Sequence, residues 1–163
     1  MVKQERLFLT DAQLKSELER CEYCEEKPCR TACPANCSPA DFIMAAKVGN
    51  KFDIKRAAAE ILTNNPLGGV CGLVCPDRHC KSGCVHAGLH TPINIPAIQA
   101  SIIQRAKEAG IMPEFNRATK NGKKVAIVGA GPAGLGAAAM LAGKGYSVTL
   151  FDREHKAGGA CQW

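Results

Sequence analysis

Residues 21–37 read CEYCEEKPCRTACPANC and residues 71–84 read CGLVCPDRHCKSGC, so nine of the ten cysteines of this 163-residue chain lie in two short runs. The first is Cys21-x2-Cys24-x4-Cys29-x3-Cys33-Pro34 with Cys37 behind it, and the second is Cys71-x3-Cys75-Pro76-x3-Cys80-x3-Cys84. Thiolates so spaced converge on an inorganic centre, and the soft sulfur donor is what iron–sulfur clusters require. A proline directly after Cys33 and Cys75 matches ferredoxin runs whose last ligand serves the other cluster, so the two runs are expected to interleave. Structural zinc also takes four thiolates and is the rival reading. Against zinc stand the four-cysteine run, where zinc sites pair compact knuckles, and a ligand supply sufficient for two centres.

Composition narrows the classes. Lys and Arg total 21 and Asp and Glu 15, a formal charge of +6, and 46% of residues are hydrophobic, as in folded soluble domains. Aromatic residues are only 5%, too few for a base-stacking platform, so a nucleic-acid partner is not expected. In the start MVKQERLFLT charged residues leave an apolar stretch of only three residues, Leu7 to Leu9, too short for a signal-peptide core, and the chain reads as cytoplasmic. Val125–Gly143 carries no charge, but its glycines and Pro132 fit a strand-turn-helix better than a membrane span.

Outward from the cysteines the grammar is helical. Thr10 to Gln13 fits a capping box ahead of Leu14, Leu18 and Cys21. Ser38, Pro39 and Asp41 start a second helix ending near Gly49, Asp53 opens a third that Asn65-Pro66 breaks, and a fourth runs from near Pro96 to Gly110. No convincing strand precedes residue 123. Between Arg105 and Lys124 the local charge is +4 around Pro113 and Asn121-Gly122, which reads as a connector, either simply solvated or facing an acidic partner. The expected division is 1–110 helical, 111–123 basic linker and 124–163 the start of an α/β domain.

That last part has a strand at Lys124–Val128, a helix at Pro132–Gly145 and a strand at Ser147–Phe151. Between the first two sits Gly129-Ala130-Gly131-Pro132-Ala133-Gly134, the glycine fingerprint of dinucleotide binding, with Asp152 ending the next strand. Gly129 serves the tight turn, Gly131 the approach of a pyrophosphate and Gly134 close helix–strand packing, while Asp152 accepts from a ribose hydroxyl. FAD and NAD(P) both use this fingerprint.

The run from Cys21 through Ile43, with the later stretch NNPLGGVCGLVCPDRHCKSGCVHAGLHTPINIPAIQ, resembles the N-terminal helical iron–sulfur domain shared by dihydropyrimidine dehydrogenase and the NADPH-dependent glutamate synthase small subunit. The resemblance implies a mostly α, helical-ferredoxin-like domain holding two [4Fe–4S] clusters, followed by the first β-α-β unit of a Rossmann-like FAD-binding domain. It implies Cys21, Cys24, Cys29 and Cys84 as ligands of one cluster, and Cys33, Cys75, Cys80 and Gln99 as ligands of the other. The Cys75–Cys80 loop is one residue shorter than in the pyrimidine enzymes, so Cys80 departs from the pattern. Cys37, Cys71 and Cys161 are left over, and His79 and His86 are expected to be surface or supporting residues. The resemblance also implies FAD on the turn of Gly129, Gly131, Pro132, Ala133 and Gly134, with Gly158-Gly159 matching the family's following glycine pair. By the same resemblance, NAD(P)H would be bound by further flavoprotein domains, and a separate catalytic subunit would be the partner. No residue of the chain is expected to act as a catalytic acid, base or nucleophile.

Overall fold

The computed structural model describes residues 8–76 and 78–162. The lysine- and glutamate-bearing stretch before Phe8 lies outside them. Two compact units divide between Pro113 and Glu114, and each is described by itself.

The first unit is helical: α1 (Asp11–Glu19), α2 (Pro28–Thr31), α3 (Pro39–Ala46), α4 (Lys51–Asn64), α5 (Gly68–Val74) and α6 (Ile95–Glu108), with a 3-10 turn at Val85–Gly88. Thr10 and Gln13 form the expected capping box. The helix α3 stops at Ala46, before Gly49, and α4 starts two residues ahead of Asp53 because the Asn50 side chain accepts from the Phe52 and Asp53 amides. Ser38 takes the N-cap position, yet its hydroxyl bonds no helix amide. Phe42, Ile43, Ala46, Ala57, Ile61, Ile98 and Ile102 form the core where α3, α4 and α6 meet, and Leu14 and Leu18 close it from α1. Arg105 ties α6 to the chain start, donating to the Leu9 carbonyl at 2.9 Å and to Asp11 at 2.7 Å.

Helix α5 is the element that periodicity does not announce, since three of its seven residues are glycine, a poor helix former. Packing overrides propensity here. A Cβ on Gly72 would lie 2.6 Å from the Ala100 amide nitrogen of α6, and one on Gly68 would collide with Ile61. The glycines therefore let α5 lie directly on α6 and α4.

The second unit contains β1 (Lys124–Val128), α7 (Pro132–Gly143) and β2 (Ser147–Phe151), with a 3-10 turn at Gly159–Gln162. The strands pair in parallel, Lys124 opposite Ser147 through Val128 opposite Phe151. Ahead of β1 the connector is already engaged: Ala118 donates to the Gly143 carbonyl, and Asn121 to that of Gly145. The charge-free stretch is thus a strand, a turn and a helix, and among the described residues no helix is long and apolar enough to cross a membrane. The protein is mostly helical with this small parallel α/β unit at its end.

Candidate metal centres and dinucleotide turn

Three left-handed residues shape the first thiol run. Tyr23, Lys27 and Asn36 have φ of 50°, 44° and 51°, and they are the non-glycine residues of positive φ among those described. Such backbone is costly for L-residues and bends the chain sharply between successive cysteines. Lys27 is held there by Asp41 at 2.7 Å, and the Tyr23 hydroxyl donates to the same carboxylate at 3.1 Å.

The bends and the return of the second run make a pocket of about 360 Å³ counting its mouth, lined by Cys21, Cys24, Cys29 and Cys84. Ala40, Ile43, Ile93 and Ile95 give it apolar walls, and Lys27 and His86 also line it. These thiols surround a space: among the described residues no three His, Cys, Asp or Glu side chains converge closely enough to grip one metal ion. A single zinc needs sulfurs roughly 4 Å apart, each about 2.3 Å from the metal. Four soft donors around a lined space fit a cubane, whose irons each take one thiolate. Cys84 is brought across 63 residues by a clamp in which Glu17 accepts from the Asn94 amide at 2.8 Å while pairing with Arg20 at 3.0 Å. Arg20 also donates to the Thr91 carbonyl, and a His86 ring nitrogen lies 3.1 Å from the Arg20 carbonyl. His86 thus supports the backbone beside Cys21.

The second group gathers Cys33, Cys75 and Cys80. Burial pushes the Cys80 thiol up to about 12, and neighbouring Cys33 and Cys75 push it the same way. Burial likewise raises Cys75 to about 11, helped by Cys71 and Cys33. Cys37, only 2% exposed, is raised to about 12 by burial and by Cys33, Cys80 and Cys71, and its thiol faces the Ile61 carbonyl at 3.9 Å. Burial is also the main cause raising Cys21 and Cys29, with Cys84 adding to both. Without metal these sulfurs stay protonated, so loading a centre must release protons. Gln99, buried on α6, donates from Nε2 to the Gly68 carbonyl at 2.6 Å. Its Oε1 has no hydrogen-bond partner among the described residues. Cys71, which spacing and resemblance both set aside, stands against Cys75 and donates to Asn65 Oδ1 at 3.5 Å. Its position in the first turn of α5 was hidden because α5 was not anticipated.

In the second unit Gly129 has φ of 102°, the left-handed turn the fingerprint demands, and a side chain on Gly134 would collide with the Gly129 carbonyl. Gly131 has open space around its missing Cβ, and Pro132 and Ala133 begin α7. Asp152 Oδ2 accepts from the Ala130 amide at 2.5 Å and Oδ1 from the Glu154 amide at 2.8 Å. The carboxylate therefore braces the turn itself. Gly158 donates to the Ala130 carbonyl at 2.8 Å, and a Cβ on Gly159 would lie 3.0 Å from Gly131, so the glycine pair folds back over the fingerprint. Cys161 is exposed.

Residues 2–111 match the family model described as dihydropyrimidine dehydrogenase domain II, 4Fe-4S cluster. The chain belongs to that family. Residues 127–162 of this domain II family member also match a model described as an NAD(P)-binding Rossmann-like domain. It is 42% identical over 144 residues to the NAD-dependent dihydropyrimidine dehydrogenase subunit PreT of Escherichia coli K12, covering 88% of this chain and 34% of that one. It is 36% identical over 152 residues to the glutamate synthase [NADPH] small chain of the same organism, covering 92% and 31%. The putative oxidoreductase UacF, also from that strain, is 35% identical over 154 residues, 93% and 24% of the two chains. The chain thus spans about a third of the length of the curated relatives it matches first.

Proposed function

We propose that this chain is the electron-carrying part of an NAD(P)H-dependent iron–sulfur flavoprotein oxidoreductase, moving electrons between FAD and a partner catalytic subunit. Cys21, Cys24, Cys29 and Cys84 hold one [4Fe–4S] centre, and Cys33, Cys75, Cys80 and Gln99 hold the other. The observation that carries this is the pocket in which Cys84 joins three thiols of the distant first run. A cluster supplies one-electron transfer with little rearrangement, and its potential follows net charge, hydrogen bonds and exposure. The chain's own contribution is an apolar wall that limits water, thiols that lose their protons on loading, and a neutral Gln99 oxygen in place of a fourth thiolate. That neutral donor leaves the second centre less negative than the first, which raises its potential and gives the pair a direction.

The relatives' names supply the wider reading: an NAD-dependent or NADPH-dependent enzyme of which this family forms one subunit. The turn of Gly129, Gly131, Pro132, Ala133 and Gly134, with Gly159 folded back against Gly131, would hold the pyrophosphate of FAD. Each Asp152 oxygen keeps a second lone pair for a ribose hydroxyl. The nicotinamide site belongs to further flavoprotein domains.

Metal analysis tests the proposal. Protein purified without oxygen should carry about eight iron and about eight acid-labile sulfide per chain, the content of two [4Fe–4S] units. Stoichiometric zinc without sulfide in such material overturns it. Exposure to air degrades the measurement, since stripped thiolates oxidise.

A further inference from the structure

Two bends of the first thiol run stand in backbone that their residues disfavour. Tyr23, between Cys21 and Cys24, has φ of 50°, and Lys27, between Cys24 and Cys29, has φ of 44°. Neither residue type visits the left-handed region readily, whereas Asn36, the third such residue, is of a type that does. Asn36 is tied to Arg30, whose Nε donates to its Oδ1 at 3.0 Å. The two costly bends end instead on one carboxylate. Lys27 Nζ donates to Asp41 Oδ1 at 2.7 Å, and the Tyr23 hydroxyl donates to the same oxygen at 3.1 Å. The Lys27 ammonium also stands 5.0 Å from the centre of the Tyr23 ring, so the two side chains close a triangle with Asp41.

Asp41 is a firm anchor for that triangle. It lies in the first turn of α3 between buried Ala40 and buried Phe42, and Ala40 and Ile43 of the same helix wall the pocket that Cys21, Cys24 and Cys29 line. The Lys27 and Asp41 side chains are 25% and 27% exposed, so water competes less for this pair than for one on the open surface.

We propose that Asp41 is the positioning residue of the first centre, holding both bends so that Cys21, Cys24 and Cys29 are presented to one cluster. This rests on the two-centre reading above. Without the carboxylate the two left-handed residues relax toward ordinary backbone, and the three thiols spread with them. The second centre keeps its hold, because its ligands begin at Cys33, beyond both bends.

The test is the release of iron to a ferrous chelator from the full chain, loaded and held without oxygen. In Asp41→Ala half of the iron should leave at least about tenfold faster than in the unsubstituted protein, and the other half at the unsubstituted rate. The triple variant Tyr23→Gly, Lys27→Gly and Asp41→Ala, in which glycine takes the left-handed angles without strain, should return the fast half to the slow rate. Unchanged release in Asp41→Ala, equal acceleration of all the iron, or a fast half that the glycines do not slow overturns the proposal and leaves the two-centre reading intact. If Asp41→Ala loads only half the iron or none, the triple variant decides: recovery of the full iron supports the proposal, and continued failure overturns it. Iron for only one centre in the unsubstituted protein overturns the two-centre reading, and this proposal with it.

Discussion

Gln99 is a single amide whose two ends have different fates. Its nitrogen is spent on the Gly68 carbonyl and its oxygen has no partner among the described residues, as the proposed ligand role requires. Gln99→Cys should retain both centres and shift one potential downward, because a thiolate adds a negative charge that disfavours reduction. Gln99→Leu should lose one centre, about half the iron. A redox titration of both variants that matches the unsubstituted protein shows Gln99 is no ligand. Asp152 offers a test in the other unit. The Glu154 and Ala130 amides hold its carboxyl below the usual carboxylate range. A depressed folded value means that its bracing of the turn is complete above the ordinary pKa of about 3.9 and is lost only as pH falls through the lower folded value. Hydrogen exchange at the Ala130 amide should therefore accelerate on acidification below that range in the native chain. In Asp152→Asn it should be faster at neutral pH and lack that step.

Among elements, α5 and α6 meet backbone to backbone at Gly72 and Ala100. Gly72→Ala places a methyl against the Ala100 backbone, and overpacking of this kind costs about 1–3 kcal/mol. Thermal unfolding should show that loss, with the centre proposed at Cys75 and Gln99 lost before the one proposed at Cys21, since α5 leads into Cys75 and α6 carries Gln99. The same pair explains what a reader of the sequence misses. Helices α1, α3, α4 and α6 announce themselves by caps, proline and spaced apolar residues, because their stability is written along one strand of chain. The glycines of α5 are legible only once Ile61 and Ala100 are known to lie against them. The four-residue α2 is shorter than any periodicity, and left-handed Lys27 at its start is a bend no propensity favours. Likewise the spacing of each cysteine run speaks for itself, whereas the meeting of Cys84 with Cys21, Cys24 and Cys29 is a matter of folding. Family resemblance, not spacing, supplied that pairing.

At the scale of the whole molecule the two units differ in how much surface they cover. The helical unit has a closed core, but Val128 at 89% and Phe151 at 55% exposure end bare strands, and α7 buries no residue. A flavin needs a cleft covering most of its surface, and two strands with one helix offer a phosphate turn without walls. This chain should bind FAD weakly in isothermal titration, and a longer chain that adds neighbouring strands should bind it tightly. Stoichiometric tight binding by the 163 residues alone would show that the walls come from elsewhere, such as a second copy.

The interleaving of the thiol runs also has a consequence in time. Cys21, Cys24, Cys29 and Cys33 leave the ribosome long before Cys84, and at 5–20 residues per second the 63-residue gap lasts about 3–13 s. On the proposed ligand sets, neither centre can be closed by the nascent chain during that interval, and four thiols wait for their partners. Insertion of iron and sulfide on those sets would wait for the Cys80–Cys84 turn and, at the second centre, for Gln99 behind it.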